Sequence, residues 1–306
     1  VLQALVGALA VGGIWTMARA WSTSRAAWFA AGLAGLTGLM TFYEVLILQA
    51  SIDVALTAAA LLALTWALQG RGSRWFLITG LVFGLAALNR PNMLITAAGL
   101  VAVMLATRRV RPAAVLVAGL LLGLAPVAVR NGVVAGEWSP VSSHGGLNFY
   151  IGNSAAATGF YHEVPGISPD IRGQSRDARR VAELAQGRPL SDAETSDYFF
   201  DLALTWIRDQ PVQAAALFVK KLGYVFHAQH VALPYSYPFF AHDANTALRF
   251  YAIGPWLLIP LGVVGLGMWL RRADDRSAVV WISFVPLYAI SVALFFIAER
   301  YRLPLL

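Results

Sequence analysis

Cysteine is absent from the 306-residue chain, which excludes a disulfide framework and any thiolate metal site and leaves the compartment to be read from topology. Charge is scarce too: 13% of the residues are charged and 58% are hydrophobic, with a mean hydropathy of +0.63. A soluble domain carries about 25% charged residues, so the composition is that of an integral membrane protein. No repeat, heptad array or low-complexity tail is present. Residue 1 is a Val inside an apolar run, and the chain stops at "ERYRLPLL", which reads as the start of another apolar segment. The sequence reads as part of something longer.

Apolar runs near the roughly 20 residues that cross a bilayer core fall at about 1–18, 26–42, 46–68, 75–90, 92–107, 113–130, 250–270 and 278–297. They predict an all-α polytopic membrane protein with eight crossings. The halves on either side of Pro91 are also compatible with a re-entrant hairpin, which leaves the parity unchanged. Three regions follow: about six spans in 1–130, a long polar segment in 131–249, and about two spans in 250–306. Ten of the 23 basic residues sit in four connections, around Arg19 and Arg25, Arg71 and Arg74, Arg108 to Arg111, and Arg271 to Arg276. These four fall on one face, which the positive-inside rule makes cytoplasmic. The segment 131–249 is then extracytoplasmic.

That segment holds 9 Lys and Arg against 11 Asp and Glu, although the whole chain is +7. The basic excess is therefore an orientation signal and gives no support to nucleic-acid binding. Pro, Gly, Asn and Ser crowd residues 131–175, which predicts loop with short strands around "GLNFYI". Ser191 with Glu194 three residues on predicts a capped helix start, and Pro211 suits the first turn of a second helix. Lys220 and Lys221 interrupt that apolar helix, which predicts an interfacial position. Aromatic residues from Tyr224 to Phe240 predict an irregular stretch in the headgroup belt.

Ionisable groups beside a membrane span cost several kcal/mol unless paired or hydrated, so they are functional candidates. On the outer side these include Glu44, Asp53, Arg90, Arg130, Glu299, Arg300, Arg302, Lys220 and Lys221. Cations predominate, and Arg offers a planar fork of donors that matches phosphate oxygens while Lys offers a compact charge. Basic residues gathered at the outer ends of several spans would hold a lipid-linked phosphate. Plainer roles stand beside this one. Arg90 and Arg130 also suit snorkelling anchors, and Glu44 and Asp53 suit pairing with a neighbouring Arg as well as catalysis. The five histidines all lie in the outer segment, but "HAQH" has only i, i+3 spacing, too little to specify zinc.

The run "RNGVVAGEWSPVSSHGGLNFYIGN", with "NRPN", "ALFVKKLGYVF" and "ERYRLPLL", resembles the bacterial membrane glycosyltransferases of family 39 type in the GT-C superfamily, relatives of protein O-mannosyltransferases and aminoarabinose transferases. The resemblance implies a GT-C-like transmembrane bundle in the bacterial plasma membrane, with an extracytoplasmic loop and helix region above the site. It implies transfer of a sugar from a polyprenyl-phosphate donor to an extracytoplasmic lipid, glycan or protein acceptor, with inversion. The donor phosphate would meet Arg300, Arg302, Arg90, Arg130, Lys220 and Lys221. "SSHGGLNFYIGN" would cap the donor pocket, with His144, Asn148, Tyr150 and Asn153 toward sugar hydroxyls; a glycine turn that only packs the loop is the plainer alternative. No cofactor is demanded, and a divalent metal is compatible. Family members place an acidic base in the first outer loop, and this chain begins after it, so Glu44 and Asp53 are weaker catalytic candidates. A transporter or flippase for a lipid-linked or anionic solute, and a non-catalytic scaffold, are the readings from other classes.

Overall fold

The computed structural model describes residues 2–46, 48–135, 144–270 and 276–306. Residues 139–143 of the glycine-rich run, and Arg271 and Arg272, lie outside the described residues. Among the described residues the chain forms fifteen α-helices and no β-strand, with two isolated backbone bridges at Thr37–Ile253 and Phe160–Ile297. It is an all-α polytopic membrane protein.

In chain order the helices are α1 (Leu2–Trp21), α2 (Ser24–Gly35), α3 (Gly38–Val45), α4 (Gln49–Leu68), α5 (Arg74–Asn89), α6 (Asn92–Ala106), α7 (Val110–Ala135), α8 (Gly145–Gly152), α9 (Ile171–Gln186), α10 (Asp192–Asp209), α11 (Pro211–Val225), α12 (Pro255–Leu270), α13 (Arg276–Ile282), α14 (Phe284–Ala293) and α15 (Glu299–Arg302). The helices α1, α4 and α7, and the consecutive pair α13 and α14, are long and apolar enough to cross a bilayer. The apolar helices α5, α6 and α12 are shorter. The run near 26–42 forms α2 and α3, broken at Leu36 and Thr37. There the Gly38 N–H turns to donate to the carbonyl of Ile253 at 3.3 Å. Between α5 and α6 the missing N–H of Pro91 and its clash with the preceding residue end the first helix. Arg90 accordingly adopts an extended conformation, φ −141° and ψ 108°.

The chain divides into two compact units, one of residues 1–141, 226–289 and 299–306, the other of 142–225 and 290–298. In the first, α5 and α7 approach so closely that backbone meets backbone. A Cβ on Gly80 would lie 1.9 Å from the Leu116 carbonyl oxygen, and one on Gly119 would lie 2.0 Å from that of Leu77. Gly84 and Gly123 repeat the contact four residues on, the small-xxx-small packing through which membrane helices gain dispersion contact without a hydrophobic driving force. Toward the C-terminal end of α4, Thr65 accepts the indole N–H groups of Trp21 at 3.3 Å and Trp281 at 3.0 Å.

In the second unit the run "GLNFYI" forms α8, not the short strands its composition suggests. Two glycines explain the difference: a Cβ on Gly146 would lie 1.8 Å from the Ser196 carbonyl oxygen, and one on Gly152 would lie 2.5 Å from the Phe295 backbone. The segment is helical because its small residues let it dock on α10 and on the chain beyond α14. The helix α9 is not announced by composition either, since the loop residues up to Ser168 and Pro169 run straight into a polar stretch. Its one-sided apolar spacing nonetheless leaves Ala178 and Ala182 buried. The capping box at α10 forms as the sequence predicts, with Glu194 N–H donating to Ser191 Oγ at 3.2 Å and Ser191 N–H to Glu194 Oε2 at 2.8 Å. Pro211 opens α11.

Candidate functional site

In the first unit, charged side chains gather where α4 begins and α5 ends. Asp53 stands in the first turns of α4, and the extended backbone at Arg90 turns its guanidinium to it. Arg90 Nε donates to Asp53 Oδ2, and Asn89 Nδ2 donates to Asp53 Oδ1. Both members of the pair are buried, Asp53 at 2% exposure and Arg90 at 7%. The face of the Arg90 guanidinium meets the ring of Tyr301, whose centroid is 4.7 Å from the guanidinium carbon. The guanidinium carbon of Arg300 lies 5.0 Å from the same centroid. One aromatic ring therefore serves two cations.

A second pair lies beside the first. Glu299 and Arg302 are both fully buried and share two hydrogen bonds, Nε to Oε1 at 3.1 Å and Nη2 to Oε2 at 2.7 Å. Arg302 also donates to the carbonyls of His227 and Gln229, and the Val231 N–H donates to Glu299 Oε2 at 3.1 Å. His230 accepts the Tyr237 N–H on Nε2 at 3.2 Å, which places the ring proton on Nδ1, 3.2 Å from Glu299 Oε2. Burial alone would raise the Glu299 carboxyl; His230, Arg302 and the Val231 N–H outweigh it and hold the carboxyl below the usual range. The tyrosine Tyr288, also enclosed, donates its hydroxyl to the Tyr301 carbonyl at 2.9 Å.

Once these pairs are formed, two groups stand over. Arg300 donates from Nη2 to the Tyr301 hydroxyl at 3.0 Å, yet its Nε is buried with no partner among the described residues. The Tyr43 hydroxyl, on a residue only 1% exposed, likewise has no partner among them. It lies within electrostatic range of Glu299, Arg300, Arg90 and Arg302. Three guanidinium groups thus face two carboxylates, and among the described residues Arg300 is the cation of this cluster without a carboxylate of its own. Buried polar groups are nearly always hydrogen-bonded, so these two donors are open to a water or a ligand.

The remaining candidates are placed as follows. Glu44, near the end of α3, sets its carboxylate against α1 at Gly7. Arg130, on α7, is exposed and bonds Asn131 Oδ1 at 3.1 Å. In the second unit Lys220 is exposed, its ammonium 5.7 Å from the Tyr224 ring. Lys221 is fully buried and donates to the Gly152 carbonyl at 2.9 Å and Asn153 Oδ1 at 3.0 Å. It caps the carbonyl end of α8, where a cation meets the negative end of the helix dipole. Asn153 in turn donates to the carbonyls of Phe149 and Leu294. The His144 Nε2 lies 2.5 Å from Ser175 Oγ, and Asn148 and Tyr150 sit on α8, the latter 5.7 Å from the ring of Phe199.

The structure therefore brings Arg90, Arg300 and Arg302 together with Asp53, and separately ties Lys221 to Asn153. Sequence reasoning missed Tyr43, Asn89, Tyr288 and Tyr301. The polar Asn89 beside "RPN" and the i, i+3 spacing of Glu299 and Arg302 were the available signals; the tyrosines are indistinguishable from an interfacial belt. No group of three or more His, Asp or Glu side chains is set to hold a metal ion among the described residues.

Residues 1–130 fit the family model of the dolichyl-phosphate-mannose-protein mannosyltransferases. No curated protein and no solved structure matches the chain. The family match takes in Tyr43, Glu44, Asp53 and Arg90 and stops short of Glu299, Arg300 and Arg302, so what the first 130 residues resemble is a family of glycosyltransferases of the membrane.

Proposed function

We propose that the protein is an inverting membrane glycosyltransferase that takes a sugar from a polyprenyl-phosphate donor and passes it to an acceptor on the extracytoplasmic side. The observation that carries this is the pair of orphaned donors, Arg300 Nε and the Tyr43 hydroxyl, set among ion pairs that neutralise every other charge of the cluster. A sugar phosphodiester bears one negative charge, and one uncompensated guanidinium answers it. The similarity of residues 1–130 to the mannosyltransferase family and the apolar helices around the site support the same reading. The sidedness follows the basic connections.

In the reaction the acceptor oxygen attacks the anomeric carbon and the carbon–oxygen bond to phosphate breaks. The departing phosphate gains negative charge as the bond lengthens. Arg300, with the Arg90 guanidinium and the Tyr43 hydroxyl, is placed to stabilise that charge in surroundings of low dielectric. Arg302 has another part: its donors are taken by Glu299 and two backbone carbonyls, so it holds α15 in place and thereby positions Arg300. Asp53 does the same for Arg90. In the second unit Lys221 and Asn153 fix the end of α8.

The two arginines of "ERYR" provide the test. Arg300→Gln lowers transfer of label from a lipid-linked sugar by about 100- to 1,000-fold, the usual consequence of removing one donor at a developing anion, with little change in thermal unfolding. Arg302→Gln leaves Glu299 buried without its arginine and destabilises the fold by about 3–5 kcal/mol. Transfer within a few-fold of the parent in well-folded Arg300→Gln refutes the assignment. Vectorial uptake of the lipid-linked sugar without covalent change would instead identify a transporter.

A further inference from the structure

A cavity of about 410 Å³ lies in the first unit, bounded by α1, the end of α2, α3 and the start of α4. Its volume falls in the range of roughly 300–1,000 Å³ typical of small-molecule sites. Ala8, Val11 and Ile14 of α1 bring apolar side chains to it, and Glu44, Tyr43 and Ser51 bring polar ones. Ser51 is already engaged, accepting from Gln3 Nε2 at 2.9 Å and donating to the Leu48 carbonyl at 3.1 Å. Glu44 is not: among the described residues no basic side chain acts on its carboxylate, and burial is the sole influence on it. Gly7 makes the room for it, since a Cβ there would lie 1.8 Å from Glu44 Oε1. Tyr43, whose hydroxyl has no partner among the described residues, lines the same cavity and faces the electrostatic field of Arg300.

We propose that this cavity receives the acceptor, an amphiphilic alcohol, with its aliphatic body along α1 and its hydroxyl at Glu44, which takes the hydroxyl proton during transfer. The inference rests on the glycosyltransferase reading and adds the acceptor class and the base. The apolar side chains of α1 suit an aliphatic body, and the single carboxylate at Glu44 suits one hydroxyl. A carboxylate in such surroundings, with no cation beside it, is matched by a proton donor, because taking up the proton removes the expense of an isolated charge. The step balances. The acceptor O–H bond breaks and its proton goes to Glu44; the oxygen forms a bond to the anomeric carbon; the bond from that carbon to the phosphate oxygen breaks with its electron pair left on the phosphate. One negative charge passes from Glu44 to the leaving phosphate, on which Arg300 acts.

Two measurements on the full chain in lipid nanodiscs test the site and the chemistry separately. In the first, a diazirine-bearing dodecanol is irradiated with the protein and the adducts are mapped. Adducts on α1 and α3 that fall several-fold in Gly7→Ala support the site; labelling indifferent to the substitution overturns it, whatever the transfer assay shows. If Gly7→Ala does not fold by thermal unfolding, Val11→Phe fills the cavity from the same wall and replaces it. In the second, Glu44→Gln, which keeps the side-chain size, lowers transfer to an alcohol acceptor by about 100-fold or more with the KM for the lipid-linked donor unchanged. Transfer within threefold of the parent overturns the role of Glu44 as base. If the labelling behaves as expected and the parent protein transfers no sugar, the cavity stands as an alcohol site while the glycosyltransferase reading and the base both fall.

Discussion

Lys221 is a cation enclosed without any carboxylate beside it among the described residues, held by a backbone carbonyl and an amide oxygen. Burial pushes its ammonium down to about 8 from an ordinary value of about 10.5. The unfolded chain therefore keeps this proton over a range in which the folded chain has released it, and stability rises with pH between those two values. The gain is about 3 kcal/mol at most, and below pH 8 the penalty of the buried charge is constant. Denaturation followed from about pH 7.5 to about pH 10.5 will show this rise in the parent protein and lose it in Lys221→Met. At the same scale, the residues that were legible in the sequence were those whose charge is out of place in an apolar context, Arg90, Arg300 and Asp53 among them. What could not be read was which charge answers which. Asp53 and Arg90 meet across 37 positions because a proline forces the chain to turn, and that meeting depends on the packing of α4 against α5.

At the scale of elements, the close approach of α5 and α7 is made by residues that have no side chain to interpose. Gly119→Leu drives a side chain into the Leu77 carbonyl and destabilises the bundle by about 3 kcal/mol or more, as overpacking at backbone contact does. Gly265→Leu on α12, where a Cβ meets nothing within 4 Å, leaves thermal unfolding in detergent unchanged. The apolar helices were visible beforehand because hydropathy is summed over about 20 residues and outlasts any single misreading. The helix α8 was not visible because its eight residues carry loop composition, and only the surfaces it packs on decide its form. The break between α2 and α3 was hidden for the same reason: Thr37 and Gly38 turn toward Ile253, far along the chain.

At the scale of the whole molecule, the proposed sidedness rests on the basic connections, and a sequence that holds no cysteine makes it simple to check. Ser73→Cys lies in an arginine-rich connection and Ala244→Cys in the polar segment, and both positions are exposed. An impermeant maleimide applied to intact cells will label the second and spare the first; the opposite pattern reverses the topology and with it the side on which transfer occurs. The placement of the Tyr301 ring against both Arg90 and Arg300 has a wider consequence. Arg90 is already neutralised by Asp53, so the ring steadies one paired and one unpaired guanidinium side by side. On the proposed function, the free charge of Arg300 is then in position before a donor arrives, and capture of the donor waits on no rearrangement of that side chain.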